Sequence, residues 1–233
     1  FPEVAVSPLV TGIVVTCAVI GIIYGALVAL VQPDVKKLVA YSSVSHLGFV
    51  MLGIWAATQQ SVQGALMIMI GHGLSTGALF LLIGMLYERR HTREIAAYGG
   101  LARVIPVFSI ILVVTSLASI GLPGLNGFVG EFLVLLGSFE RHPWATGLAT
   151  TGVIFAAAYL LWALQRILFN KLDKPENSGL TDLTARELLV VLPLVAGMIW
   201  LGLYPKPVLD RMNASAQKYV QQVAPGLERP SAT

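Results

Sequence analysis

From Val104 to Phe139 the chain is almost continuously apolar, and the segment Gly121-Leu122-Pro123-Gly124-Leu125-Asn126-Gly127 sits in the middle of that run. As one straight helix, about 35 residues at 1.5 Å each would reach roughly 50 Å, against a hydrocarbon core about 30 Å thick. Such a run must break, and the glycines and proline predict where. Breaks of this kind in transporters free backbone groups that need a cavity or neighbouring protein, and they are places where ions and protons are handled. Glu131 lies one helical turn past the predicted break. An acid at membrane depth costs at least a few kcal/mol and is usually kept for a function.

The rest of the chain is of the same kind. Hydrophobic residues make up 56% and charged residues 12%, whereas a soluble domain is about a quarter charged. Mean hydropathy is +0.78. Apolar runs fall near 8–31, 38–57, 62–86, the broken 104–139, 144–169 and 188–204. They predict an all-α, polytopic membrane helix bundle with about six spanning elements, one of them broken. Pro193 is expected in the first turn or two of the last span, where a proline is better tolerated. Residues 1–205 form the membrane bundle in this division. The polar tail, 206–233, is expected to be a short interfacial helix with a loose end. The chain opens on Phe1 and enters its first span at Pro8 with no signal peptide, so a fragment or a processed chain is expected.

Basic residues set an orientation. Alternate loops carry Lys36, Lys37, Arg89, Arg90, Arg93, Arg103, Arg166, Lys171, Lys174 and Arg186, while the opposite loops carry only Arg141, with Lys206, Arg211, Lys218 and Arg229 in the tail. The positive-inside rule puts the ten-charge face in the cytoplasm and both ends of the chain outside. The net charge of +3 does not indicate nucleic acid, because the cations sit in short loops between apolar runs and form no solvated basic face. Cys17, the single cysteine, lies inside an apolar run and is expected to be a small core residue. It offers no disulfide and no metal-ligand spacing.

Two histidines stand at membrane depth. His72 is flanked by small residues in Gly71-His72-Gly73-Leu74-Ser75-Thr76-Gly77, which would admit a neighbouring helix or water. An imidazole there can relay protons, its unperturbed pKa being near 6.5, or it can be a structural group bonded to another helix. His46 closes the polar stretch Tyr41-Ser42-Ser43-Val44-Ser45-His46. Ser42 and Ser43 share its helical face, so the stripe either holds a water chain or glues helices together. Three protonatable groups in separate spans favour a proton path through His46, His72 and Glu131. Lys36 and Lys37 read as topology anchors. Arg89, Arg90, His91 and Arg93 with Glu88 and Glu94 read as a solvated, partly ion-paired face. No motif for a nucleotide, flavin, haem or iron–sulfur cluster is present, and no nucleophile–base constellation, so redox chemistry is expected elsewhere.

The stretch Asp34-Val35-Lys36-Lys37-Leu38-Val39-Ala40-Tyr41-Ser42-Ser43-Val44-Ser45-His46-Leu47-Gly48-Phe49, then His72-Gly73-Leu74, Tyr87-Glu88-Arg89 with His91-Thr92, and Leu122-Pro123-Gly124 with Phe128-Val129-Gly130-Glu131-Phe132, resembles the antiporter-like, proton-pumping membrane subunits of respiratory complex I. The resemblance runs from Pro8 to about Pro207. It implies a fold of two inverted repeats, each with one broken helix, of which this stretch is the second half. It further implies that His46 and His72 lie along a hydrated mid-membrane axis and that Glu131 is the terminal proton carrier near the exit. Sister subunits usually carry a lysine there, so the glutamate points to one branch of the family. The short tail agrees, since another branch ends in a long lateral helix. Family members also place a glutamate and two lysines upstream of the position of Phe1, so this stretch would not pump alone. NADH, FMN, iron–sulfur clusters and quinone would belong to other subunits, with none bound here, and the expected partners are neighbouring antiporter-like subunits and the bilayer of the inner (plasma) membrane. Two other functions remain open: a subunit of a cation/proton antiporter or membrane-bound hydrogenase, and a passive scaffold.

Overall fold

A computed structural model describes residues 2–227. The helices in order are α1 (Pro2–Ala5), α2 (Pro8–Leu30), α3 (Val35–Ala56), α4 (Gln59–Arg90), α5 (Pro106–Ile120), α6 (Asn126–Phe139), α7 (Pro143–Leu164), α8 (Pro175–Ser178), α9 (Ala185–Leu203) and α10 (Lys206–Leu227), with a π-helical turn, Gln165–Phe169, extending α7. Five of these elements are long and apolar enough to cross a membrane. The sixth crossing is made by α5 and α6 in tandem. At 15 and 14 residues, each reaches only about 21 to 23 Å and is too short to span by itself. The chain is a multi-pass membrane protein.

The break between α5 and α6 forms as the sequence dictates. Gly121 ends α5 with φ 83°, a left-handed conformation that favours glycine, and its N–H turns back to the α5 carbonyls. The Leu122 N–H bonds the Leu117 carbonyl at 3.1 Å, which closes the cap. Pro123 can donate no hydrogen bond, so the helix does not resume until Asn126.

The loops at the two ends form two separate surfaces. At the basic end the Val35 N–H bonds the Arg93 carbonyl, Arg93 pairs with Asp34 at 3.5 Å, and Arg89 makes a two-pronged contact with Glu187 at 2.7 Å. Asp182 caps α5 through the N–H groups of Val107 and Phe108. The basic residues of alternate loops therefore share one face. The arginine cluster is ion-paired as expected, but its partners Asp34, Glu176 and Glu187 come from other loops rather than from Glu88 and Glu94. At the opposite end α10 lies against α4, where Asn213 accepts from Gln63, and the Tyr219 hydroxyl donates to the Ile54 carbonyl at the end of α3.

Inside the bundle, small residues let backbones touch. A Cβ on Gly64 of α4 would stand 2.8 Å from the Gly130 carbonyl of α6, and one on Gly130 would stand 2.8 Å from the Ile68 nitrogen. These contacts pack α4 directly on α6. One apolar cluster, including Leu38, Leu82, Phe108 and Leu160, fills the basic end, and a second, including Ile22, Phe49, Leu52 and Val134, fills the other half. His46, His72 and Glu131 lie between the two.

Three expectations need correction. Cys17 is exposed on the outer face of α2 rather than in the core, because α2 turns Val15, Ala18, Val19 and Ile22 inward. Pro193 is the ninth residue of α9, in its third turn. Capping by Thr184 with Glu187 starts that helix earlier than its apolar run, so the Leu189 carbonyl loses its helical donor. The tail is not a short helix: α10 has 22 residues. The expected loose end, 228–233, lies outside the described residues.

Candidate functional site

Each of the three polar residues is delivered by a different helix. Asp34 caps α3, its Oδ1 accepting from the N–H groups of Lys36 at 2.8 Å and Lys37 at 3.1 Å, and this sets the register that carries His46 into the bundle. His72 lies near the middle of α4, and Glu131 is the sixth residue of α6.

Glu131 and His46 are both buried, 6% and 5% exposed, and their side chains meet: His46 Nδ1 stands 3.0 Å from Glu131 Oε1. That distance serves an imidazolium–carboxylate pair as well as an imidazole–carboxylic acid pair, so one proton can change owner with little movement of heavy atoms. A carboxylate alone at this depth would be severely disfavoured, and the imidazole supplies both a hydrogen bond and a counter-charge. The second oxygen, Oε2, faces the break. A Cβ on Gly121 would come within 2.6 Å of it, so the glycine that ends α5 also makes room for the carboxylate.

The two imidazole rings lie 5.3 Å apart between centroids and are inclined at 45°. His72 is half-buried, and its Nδ1 stands 3.1 Å from the hydroxyl of Thr76, one turn along α4. His46 Nε2 is buried with no hydrogen-bond partner among the described residues. A cavity of about 20 Å³ adjoins both rings, Glu131, Ser75, Ser119 and Gly127. This is room for a single water. Glu131, His46, His72 and Thr76 thus form a row of proton-exchanging groups from the break into α4.

The structure brings together all three residues singled out in the sequence. It divides the serine stripe: Ser42 and Ser43 both bond the Val39 carbonyl of their own helix, and Ser45 bonds the Ile22 carbonyl of α2 at 2.8 Å. Of the three, Ser45 alone ties two helices together. Lys36 and Lys37 stay at the basic end, about 15 Å of helix from His46, and do not join the row. Sequence reasoning missed three contributors. Thr76 follows His72 at the four-residue spacing of a helical face, a signal that was available. Asn126, buried at the start of α6, donates from Nδ2 to the Gly71 carbonyl at 2.8 Å and ties the break to the residue before His72. The third, Gly121, is visible in sequence as a breaker but not as a neighbour of Glu131. No group of three or more metal-ligating side chains occurs among the described residues.

A membrane bundle with a broken helix, a buried acid just past the break and two histidines beside it has the architecture of the antiporter-like membrane subunits. The chain belongs to the family described as NADH:quinone oxidoreductase/Mrp antiporter, whose model matches residues 1–199. It is 48% identical to NADH-quinone oxidoreductase subunit M of Rhodobacter capsulatus over 91% of this chain and 41% of that protein. Identity to NADH-ubiquinone oxidoreductase chain 4 of Marchantia polymorpha is 41%, over 95% of this chain and 44% of the relative. Respiratory complex I from Thermus thermophilus contains a chain of the same fold, with a TM-score of 0.87 and 37% identity over 91% of this chain and 45% of that one. The Mrp complex from Dietzia shares the fold at a TM-score of 0.78 and 18% identity, over 91% of this chain and 49% of that chain. The chain therefore spans about two fifths of the length of the curated relatives it matches.

Proposed function

We propose that this chain is part of a membrane subunit that carries protons, driven by NADH:quinone oxidoreduction in partner subunits. The contact between His46 and Glu131 at the break, with His72 beside it, carries the proposal: it is a buried pair able to hand over one proton, reached by a second imidazole. In this scheme protons move laterally through His72 and His46 to Glu131, which releases them. Neutralising or restoring the cation beside Glu131 shifts its proton affinity, which is how events elsewhere in a complex would load and unload it.

The basic face lies in the cytoplasm and the face with α10 in the periplasm, following the positive-inside rule. Residues 1–205 form the membrane-embedded part, in the inner (plasma) membrane. Neighbouring antiporter-like subunits are the partners, and NADH, FMN, iron–sulfur clusters and quinone belong to other chains of the assembly. The enzymatic step is theirs; this chain contributes translocation.

Glu131→Gln in the full-length protein, within the assembled complex in membrane vesicles, tests this function. NADH-driven proton pumping falls, with or without a parallel fall in NADH:quinone electron transfer. Wild-type values for both would remove Glu131 from the path and favour a scaffold. Normal redox turnover by a complex whose Glu131 variant exchanges sodium instead of pumping protons would favour a cation antiporter.

A further inference from the structure

Eight buried side-chain polar atoms lack a hydrogen-bond partner among the described residues, and four of them gather at the end of the bundle opposite the basic face: Thr11 Oγ1 on α2, Ser138 Oγ on α6, His142 Nε2 before α7 and Thr146 Oγ1 on α7. Helix packing brings these positions together. Parallel α2 and α7 pack side by side, Ile22 against Gly152 and Val15 beside Ala145, so one turn nearer that end Thr11 comes level with His142; the His142 N–H bonds the Ser138 carbonyl and the Thr146 N–H bonds the His142 carbonyl, which keeps Ser138, His142 and Thr146 within successive turns. Ser138 is fully buried on the core face of α6 and shares that face with Glu131, two turns away. His142 is half-buried, so it stands between this cluster and the outer water. Its Nε2 is buried without a hydrogen-bond partner among the described residues, so in the tautomer that carries the hydrogen on Nδ1 it can accept a proton.

Buried hydroxyls and a bare imidazole nitrogen clustered in one place are poor as dry packing and good as a lining for water. Along α6 an apolar residue, Val134, lies between Ser138 and Glu131. It is fully buried and wedged against Gly53 and Gly64, with Leu52 and Ala65 around it.

We infer that Thr11, Ser138, His142 and Thr146 line a hydrated exit vestibule, closed from Glu131 by Val134, with His142 as the group that takes the released proton to the periplasm. The inference rests on the proton-carrying function proposed above and adds its outlet. A proton leaves the Glu131 carboxyl when Val134 moves aside, passes along water held by Ser138 and Thr146, and protonates His142 Nε2, from which it goes to bulk solvent. The neighbouring Arg141 is exposed and disfavours retention of the charge.

Two arms test this in the full-length protein within the assembled complex. In a chain with Cys17→Ser and any other cysteines removed, Ser138→Cys, Thr146→Cys and Val134→Cys are exposed to silver ion from the periplasmic side, and the thiols left are counted with a maleimide after denaturation. A vestibule makes Ser138→Cys and Thr146→Cys react an order of magnitude or more faster than Val134→Cys, whose access needs local opening; equal rates would overturn it. In the second arm His142→Phe is compared with His142→Gln and Glu131→Gln. His142→Phe should lower proton pumping by at least about half, with His142→Gln intermediate because it still holds water. Fast labelling with wild-type pumping by His142→Phe would leave a wet pocket off the path and overturn the exit role alone. Wild-type pumping by Glu131→Gln would overturn the parent function instead.

Discussion

Gly121→Ala separates two consequences of one added methyl group. The first is backbone strain: at φ 83° an alanine is forced into the left-handed region, which costs about 1–2 kcal/mol whatever surrounds it. The second depends on Glu131. The new Cβ would lie 2.6 Å from Oε2, so the carboxylate must retreat. A retreat of about an ångström takes Oε1 out of hydrogen-bond range of His46, now 3.0 Å away. Losing a charge-assisted contact in a buried site costs about 1.5–3 kcal/mol. Together the two predict a destabilisation of about 2.5–5 kcal/mol for Gly121→Ala with Glu131 present, and only the strain of about 1–2 kcal/mol in a Glu131→Ala background. The difference, about 1.5–3 kcal/mol, is a coupling energy read from a double-mutant cycle on denaturant unfolding of the purified protein in detergent. Equal destabilisation in both backgrounds would refute the role given to Gly121, since the glycine would then serve only the turn.

Other substitutions probe the surroundings. Ser45→Ala removes the bond that ties α3 to α2 and should destabilise the fold by about 1 kcal/mol, while Ser42→Ala and Ser43→Ala change it by less than about half of that, because their hydroxyls only share the Val39 carbonyl; unfolding midpoints rank the three. Arg89→Gln should destabilise by about 2–3 kcal/mol, as it leaves the Glu187 carboxylate in a largely buried contact without its guanidinium, and Glu187→Gln alone should cost less because arginine keeps three carbonyl partners, Met85, Thr181 and Asp182. Burial, with Arg141 adding to it, holds His142 below the usual histidine pKa. The unfolded chain therefore takes up this proton first as pH falls. Stability should drop below about pH 6.5, until the folded protein also binds the proton, and His142→Gln should flatten that slope in unfolding curves recorded from pH 7.5 to 5.

Much of this was legible in sequence because the bilayer allows few solutions. Apolar length fixes the number of crossings, and the excess length of Val104 to Phe139 together with Gly121 and Pro123 fixes a break whose position the structure reproduces. Singling out His46, His72 and Glu131 rested on an equally local rule, that ionisable groups at depth are expensive. Local rules end there. Cys17 and Thr11 stand six residues apart on one apolar helix, yet one faces outward and the other inward. In a membrane helix polarity does not mark the buried side, because the outer face is apolar too.

What no local rule could supply is the meeting of His46 with Glu131, 85 residues apart in sequence. That contact is set by where backbones can approach. A Cβ on Gly48 would strike Ile22 at 2.6 Å, which fixes α3 against α2 two residues beyond His46, and the reciprocal contacts of Gly64 and Gly130 fix α6 against α4 one residue before Glu131. Each polar residue of the pair thus stands within half a turn of a glycine that locates its helix. Glycine spacing in the sequence announces that close contacts exist, but not which helix answers which. The acid–imidazole pair is therefore a property of the assembled bundle. A bulky residue at Gly64 or Gly130 would separate α4 from α6 and draw Glu131 away from the histidines without altering a single ionisable group.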